Sequence, residues 1–251
     1  MIENNLLPTY EQLWQNTTNW TPSLEQLNLF QELYNEILAI NKYLNLTRIT
    51  TIEEFWEKNL WDSLAPILEY DLTHKKIIDI GTGGGFPGLP IAITFAEAKL
   101  TLMDSTNKKI KFINDFSHKL KLKNIETLVN RVEIIGQDKK YRKQYDFALI
   151  RAVAEISVCL EYSLPLLKLG GIAILYRGNL SEEEKEITEK IAHQLGGKVT
   201  KIINKNTPIK NHIRHCIYIE KTGITPKQYP REVGKPVKEP LSGFITSKSS
   251  Q

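Results

Sequence analysis

The stretch that decides the fold is Asp79-Ile80-Gly81-Thr82-Gly83-Gly84-Gly85-Phe86-Pro87-Gly88. It follows a short apolar run at residues 76–80 and precedes an apolar, helix-like run at residues 89–96. Because glycine has no side chain, the backbone of such a loop can approach a ligand closely. Parallel sheets bind ligands at the carboxyl ends of their strands. The stretch therefore predicts a nucleotide-type ligand on a strand–loop–helix unit.

The loop itself indicates which nucleotide is bound. Gly83, Gly85 and Gly88 match the G-x-G-x-x-G spacing of dinucleotide sites. Asp79 would repel a pyrophosphate but attract the cationic methionyl end of S-adenosylmethionine, directly or through water. Pro87 lacks the backbone N–H that a phosphate would take at a helix start. We expect S-adenosylmethionine as the cofactor, with NAD as the alternative.

Two further strand ends are expected to hold the adenosine. Asp104 ends the second predicted strand, where a carboxylate accepts hydrogen bonds from ribose hydroxyls. It is also placed to cap the helix that begins near Thr106, and both roles are compatible. The third strand leads to residues 131–133, where the Val132 N–H and side chain are expected to meet the adenine, with Glu133 nearby.

Arginines end the fourth and fifth predicted strands. The planar guanidinium of Arg151 would suit a carboxylate or a phosphate in the crevice. The alternative is an ion pair with Glu155, one helical turn later. Arg177 is expected to border the same crevice.

Helices and strands follow one another in a regular order. Apolar periodicity predicts helices at residues 23–44 and 51–68, with capping boxes formed by Ser23 with Gln26 and by Thr51 with Glu54. Strands are predicted at residues 76–80, 100–104, 125–129, 145–150, 172–176, 198–204 and 215–220, with helices at 89–96, 108–120, 155–167 and 181–195. This alternation predicts an α/β fold with a mostly parallel seven-stranded sheet and an antiparallel edge hairpin. We divide the chain into a helical extension (1–70), the α/β domain (71–221) and a tail (222–251).

Composition and the tail suggest a polyanionic partner. The 251 residues include two cysteines, with 25% charged residues and a net charge of +4, which fits a folded cytoplasmic protein without disulfides. No secretory signal, membrane span or metal-ligand pattern is expected. Four prolines, at 226, 230, 236 and 240, are expected to exclude regular structure from a basic tail. The tail is then either disordered or an extended strap lying along RNA.

Taken together, several blocks resemble the bacterial glucose-inhibited division protein B family. They are Asn45-Leu46-Thr47, Asp62-Ser63, the loop 79–88, Asp104-Ser105, Asn130-Arg131-Val132-Glu133, Arg151-Ala152, Tyr176-Arg177-Gly178 and the tail pattern from Tyr229 to Leu241. The chain has Lys58-Asn59 where many relatives have Arg-His, and Arg177 where many have lysine. Members of this family are class I methyltransferases (Rossmann-like) that methylate guanine N7 in small-subunit (16S) ribosomal RNA.

The resemblance implies S-adenosylmethionine as the cofactor and ribosomal RNA, a ribosomal subunit or an assembly intermediate as the partner. The expected cofactor contacts are Asp79, Gly81, Gly83, Gly85, Phe86, Asp104, Ser105, Thr106, Val132, Glu133 and Arg151. We expect Arg131 and Arg151 to act at the reacting base, and Asn45, Arg177 and Arg231 to contact RNA. The competing hypotheses are an NAD-dependent oxidoreductase and a non-catalytic RNA-binding assembly factor.

Overall fold

The computed structural model describes residues 6–44 and 51–246, and its centre is a seven-stranded sheet in the order β3-β2-β1-β4-β5-β7-β6. The strands are β1 (Lys76–Ile80), β2 (Lys99–Asp104), β3 (Ile125–Val129), β4 (Tyr145–Arg151), β5 (Leu167–Arg177), β6 (Gly197–Asn206) and β7 (Ile213–Lys221). The helices are α1 (Glu11–Thr18), α2 (Leu24–Leu44), α3 (Ile52–Phe55), α4 (Asp62–Leu64), α5 (Gly88–Thr94), α6 (Asn107–Lys119), α7 (Val132–Ile135), α8 (Ile156–Ser163), α9 (Glu182–Gln194), α10 (Lys235–Lys238) and α11 (Leu241–Thr246).

The sheet has the predicted topology. Strands β1 to β5 pair in parallel, and β7 lies antiparallel between β5 and β6, which confirms the edge hairpin. The chain order reverses beside β1, which pairs with β2 on one side and β4 on the other. This reversal opens a crevice at the carboxyl ends of β1 and β4, where open α/β sheets bind their ligands.

The N-terminal helices pack on one face of this sheet. The predicted capping box of α2 is present, since Ser23 N donates to Gln26 Oε1 at 2.8 Å and Gln26 N to Ser23 Oγ at 3.2 Å. Helix α1 was not predicted, and its buried Trp14 packs edge-on against Trp56. Buried residues of α1 and α2 belong to the same hydrophobic cluster as β1 and β2. The boundary near residue 70 stays a prediction.

The helix predicted at 51–68 is interrupted by a π-helical segment, Trp56–Trp61, between α3 and α4, and it ends at Leu64. Thr51 makes no side-chain cap, so this second capping box is wrong, and Glu54 instead pairs with Lys58 at 2.8 Å. A π turn widens the helix by one residue and is frequent at functional sites. Here it turns Lys58, Asn59 and the start of α4 toward the crevice.

Residues 222–246 of the tail are ordered, so the expectations of disorder and of no regular structure are wrong for them. The tail contains α10 and α11. The Arg142 guanidinium holds the first part of the tail in place. It donates to the carbonyls of Thr225 and Tyr229 at 3.2 and 2.6 Å. These hydrogen bonds replace the local ones that the prolines remove.

Lys221 is buried immediately before the tail, and its titration is expected to make the stability of the protein depend on pH. Its Nζ donates to the carbonyl of Leu195 at 2.9 Å and to the Thr225 hydroxyl. Burial, followed by the nearby Arg142 and Lys143, lowers the pKa of Lys221 to about 7. The unfolded chain would hold this proton up to roughly pH 10.4. Stability should therefore rise with pH above about 7, because the unfolded state binds the extra proton.

We expect the free energy of unfolding to rise between pH 7 and pH 8.5 by up to about 2 kcal/mol more in the wild type than in Lys221→Met. The variant keeps most of the packing and removes the titrating group. Urea unfolding at several pH values measures the difference. Parallel curves for the two proteins would contradict the buried, neutral lysine.

Candidate functional site

Asp79 holds the glycine loop from within. Its Oδ2 accepts hydrogen bonds from Thr82 Oγ1 at 2.6 Å and from the Gly88 N–H at 2.8 Å. The side chain is buried, and burial raises the pKa of Asp79 to about 6. The carboxylate thus occupies the start of α5, where a pyrophosphate would need to bind. Within the described residues, Asp79 Oδ1 has no hydrogen-bond partner.

Two glycines of the loop are required by close approach. Gly81 has φ +69°, and a Cβ there would lie 2.6 Å from Val153 Cγ2. A Cβ at Gly88 would lie 2.1 Å from Leu102 Cδ2 and 2.8 Å from the Asp79 carboxylate. The two glycines therefore allow the loop to pack closely against Val153, Leu102 and Asp79.

A smaller cavity of about 320 Å³ lies beside β2 and β3. It brings together five predicted cofactor residues, which are Gly81, Asp104, Ser105, Val132 and Glu133. Asp104 accepts from the Gly83 N–H at 3.2 Å and from the Thr106 N–H at 2.8 Å. The carboxylate therefore ties the two loops together at the floor of this cavity, and Thr106 itself is the residue that precedes α6.

Glu133 accepts three hydrogen bonds in the wall of the smaller cavity. Its Oε1 accepts from Arg131 Nη2 at 3.0 Å, from the Tyr162 hydroxyl at 3.1 Å and from the Gly234 N–H at 3.0 Å. Burial raises the pKa of Glu133, but the hydrogen bonds from Arg131 and Gly234 outweigh it and the net shift is downward. In the described part of the chain, its buried Oε2 has no partner. A charged acceptor therefore remains free beside the expected adenine.

A larger cavity of about 610 Å³ opens on the other side of Gly81. Arg151 lies in its wall and donates from Nη1 to the carbonyl of Lys58 at 2.7 Å. The same nitrogen lies 3.4 Å from Asp62 Oδ2, and the guanidinium lies 5.9 Å from the Phe86 ring centre. The predicted alternative, an ion pair with Glu155, is wrong, because Arg151 turns toward the π-helical segment instead.

Positive charge surrounds the larger cavity. Its lining includes Lys58, Lys109, Arg151, Arg177 and Arg214. Asp62 lies between two of these groups, with Arg214 Nε 3.3 Å from its Oδ1. Burial raises the pKa of Asp62, although Arg151 and Arg214 oppose the shift. Sequence reasoning missed Arg214, because only the β6–β7 hairpin brings it to this edge of the sheet.

Of the other predicted residues, Arg177 and Arg131 line a cavity and Arg231 does not. Arg177 lines the larger cavity, where its Nη1 donates to the carbonyl of Ala154 at 2.9 Å. Arg131 reaches the smaller cavity beside Glu133. Arg231 is outside both cavities, where its guanidinium pairs with the buried Glu161. Asn45 lies outside the described residues.

Asn59 is a buried polar side chain in the lining of the larger cavity. It is 2% exposed, and its amide nitrogen has no partner among residues 6–44 and 51–246. No three histidine, cysteine or acidic side chains of the described ranges come together as a metal would require. Nor does any helix there combine the length and apolar character needed to cross a bilayer.

Comparison with known proteins identifies the family to which the chain is similar. The family model described as "GidB: rRNA small subunit methyltransferase G" matches residues 26–215. A protein named ribosomal RNA small subunit methyltransferase G from Trichodesmium erythraeum is 53% identical over 249 residues, covering 96% of this chain and 98% of that protein. One of the same name from Trichormus variabilis is 51% identical over 243 residues, covering 94% and 99%.

Solved structures agree on the fold. A SAM-dependent methyltransferase from Aquifex aeolicus matches with a TM-score of 0.51 and 18% identity, over 67% of this chain and 93% of that one. M. jannaschii TYW2 in complex with AdoMet matches with a TM-score of 0.55 and 13% identity, over 71% and 81%. At these identities the likeness establishes the class I methyltransferase fold.

Proposed function

Because the chain belongs to the GidB family of rRNA small subunit methyltransferases, we propose that it methylates N7 of a guanine in small-subunit (16S) ribosomal RNA. Family membership makes it an S-adenosylmethionine-dependent methyltransferase and favours this function over the two alternatives, an NAD-dependent oxidoreductase and a non-catalytic assembly factor. The target atom, the form of the RNA and the residue roles are our proposal.

The residues present fit the cofactor. Gly81 lines both cavities, and Glu133 and Asp79 each keep a buried oxygen without a partner in the described part of the chain. In this proposal Asp104 holds the ribose, Val132 and Glu133 the adenine, and the loop the methionyl end. When bound, S-adenosylmethionine supplies an electrophilic methyl group on a sulfonium.

One observation carries the proposal. The two cavities share Gly81, Lys109 and Ala152, so they meet at the end of β1. The smaller one suits an adenosine, and the larger one has a basic lining that attracts a polyanion. A methyl group held at their junction would face a base that enters the larger cavity. This arrangement supports methyl transfer to RNA.

The chemistry requires little of the protein beyond placement. Guanine N7 carries a neutral lone pair, so no proton needs to be removed before it attacks, and no general base is required. An arginine that donated to N7 would block the reaction. We therefore assign Arg131 and Arg151 to positioning the reactants and to contacts with O6 or phosphate. Positioning of this kind can supply most of a rate enhancement.

The substrate is proposed to be a loop or a splayed base. The major groove of A-form RNA is too deep and narrow for side chains to reach N7. Asn59 and Arg177 line the larger cavity and are proposed to contact the entering nucleotide. A ribosomal subunit or an assembly intermediate in the cytoplasm would present such a base.

A cofactor titration tests the first half of the proposal. We expect saturating S-adenosylhomocysteine, at about 100 times its Kd, to stabilise the protein by about 2.7 kcal/mol and raise the Tm by roughly 5–10 °C. NAD at the same concentration should leave the Tm unchanged, because Asp79 occupies the pyrophosphate position. A larger shift with NAD would contradict the cofactor assignment.

Labelled methyl transfer tests the second half. Small subunits from a strain lacking the enzyme, and RNA extracted from them, are incubated with the protein and labelled S-adenosylmethionine. Mass analysis of the nucleosides should find the label in 7-methylguanosine. RNA binding with no incorporation on subunits, intermediates or free RNA would favour the non-catalytic alternative.

A further inference from the structure

The C-terminal strap, defined as residues 229–237, reaches the smaller cavity. Val237 lines that cavity, although its side chain is 56% exposed. The Gly234 N–H donates to Glu133 Oε1 at 3.0 Å. The strap thus contributes both a side chain and a backbone donor to the place where the adenine is expected.

The strap is fastened by a buried ion pair. Arg231 Nε and Nη2 donate to the two carboxylate oxygens of Glu161 at 2.9 and 2.7 Å, and the Arg231 backbone N–H donates to the same carboxylate at 2.8 Å. The Glu161 side chain is fully buried. Two-point pairing of this kind fixes the orientation of the guanidinium as well as its position.

The same helix fastens Glu133. Tyr162 follows Glu161 on α8, and its hydroxyl donates to Glu133 Oε1 at 3.1 Å. Arg231 therefore holds the strap to one residue of α8, while the next residue holds Glu133, which the strap also contacts through Gly234. Arg231, Glu161, Tyr162, Glu133 and Gly234 thus form a closed circuit beside one wall of the smaller cavity.

We propose that the C-terminal strap is a working part of the S-adenosylmethionine site: Arg231 and Gly234 position Glu133, Val237 covers the adenine, and docking of the strap and binding of the cofactor stabilise each other. The proposal rests on the cofactor assignment above. Arg231 is then a positioning residue of the cofactor site, acting through Glu161 and Gly234, in addition to holding the tail.

If the strap has only a structural role, its hydrogen exchange should not depend on the cofactor. Such a strap would hold the tail equally well with and without the cofactor, and its backbone amides would exchange at the same rate in both states. Coupling requires a difference, because linked equilibria shift each other by the same factor. The Gly234 N–H reports on the coupling directly, since it is the donor to Glu133.

Hydrogen–deuterium exchange of the full chain with S-adenosylhomocysteine measures this difference. We expect exchange in residues 229–237 to slow at least fivefold on binding, together with the loop 81–85. The turn at residues 71–75, which precedes β1 at the edge of the sheet opposite the site, is the internal control and should not change. If the glycine loop is protected and the strap is not, the proposal for the strap is overturned and the cofactor assignment stands. No protection anywhere would overturn the cofactor assignment as well.

Matched variants provide the second measurement. Arg231→Met should raise the Kd for S-adenosylhomocysteine at least tenfold and abolish its protection of the strap. Arg231→Lys, which keeps the charge, should restore part of the affinity. Lys238→Met removes an exposed positive charge just beyond the strap and should bind within twofold of the wild type. Equal affinity of Arg231→Met and Lys238→Met, with Arg231→Met folded by circular dichroism, would overturn the proposal.

Discussion

Replacing Arg151 by alanine is expected to lower kcat/KM for methyl transfer about 100-fold to 1,000-fold while the chain still folds. The guanidinium joins the end of β4 to the π-helical segment through the Lys58 carbonyl at 2.7 Å. It also faces Asp62, which keeps Arg214 as a partner when Arg151 is removed. Without this link, the two walls of the larger cavity lose their fixed spacing.

Two control variants make the Arg151 result specific. Arg151→Lys keeps the charge but has a single donor group, so an intermediate rate is expected. Lys168→Ala removes a positive charge at the opposite end of β5, where Lys168 pairs with Asp146 at 3.1 Å, and should leave turnover unchanged. Near-wild-type turnover of Arg151→Ala on small-subunit RNA would contradict the positioning role.

Replacing Asp79 by alanine should affect both stability and cofactor binding. The change leaves the buried Gly88 N–H and the Thr82 hydroxyl without their acceptor. Each unpaired group costs about 1–3 kcal/mol, so we expect the Tm to fall by roughly 5–15 °C. The Kd for S-adenosylhomocysteine should rise at least about tenfold, because the loop loses its fixed shape and its charge.

The Asp79→Asn variant separates shape from charge. The amide oxygen can still accept from both donors, so the loop should keep its conformation and most of its Tm. The missing charge should still weaken binding of the cationic methionyl end. Because burial raises the pKa of Asp79 to about 6, wild-type affinity should fall as the pH drops below 6, whereas that of Asp79→Asn should not. Identical pH profiles would limit Asp79 to holding the loop.

The parts of the fold that local patterns specify were predictable. Alternating apolar runs gave the strands, and the Ser23–Gln26 pair gave the capping box at the start of α2. The glycine loop and the acid that ends β2 also lie where a sheet with this connectivity must place them. These features depend on residues a few positions apart, and a sequence displays such spacing directly.

The features that were missed depend on distant contacts. Helix α1 begins after Tyr10 without a side-chain cap and is held by the packing of Trp14 against Trp20 and Trp56. Strand β5 begins at Leu167 and runs through Gly170 and Gly171, whereas the predicted strand begins at residue 172; an irregularity in its pairing with β4, between Tyr145 and Phe147, accommodates the extra residues. In neither case does the local sequence carry the signal.

The same reason limits what could be predicted of the site. The role of Asp62 depends on Arg151 and Arg214, each far away in sequence. Arg231 lies in a basic segment and was therefore predicted to contact RNA. In the structure its guanidinium pairs instead with Glu161, which is 70 residues away in sequence. That pairing favours a role for Arg231 at the cofactor site. The RNA contact of Arg231 stays a prediction.

The contact between Gly234 and Glu133 spans 101 residues, and this distance sets an order of events during synthesis. A chain grows at about 5–20 residues per second, so Glu133 emerges roughly 5–20 s before Gly234. By the end of that interval the nascent protein contains every lining residue of the smaller cavity except Val237 of the strap. On the proposed role of the strap, a newly made copy binds the cofactor at full affinity only after Gly234 has been added.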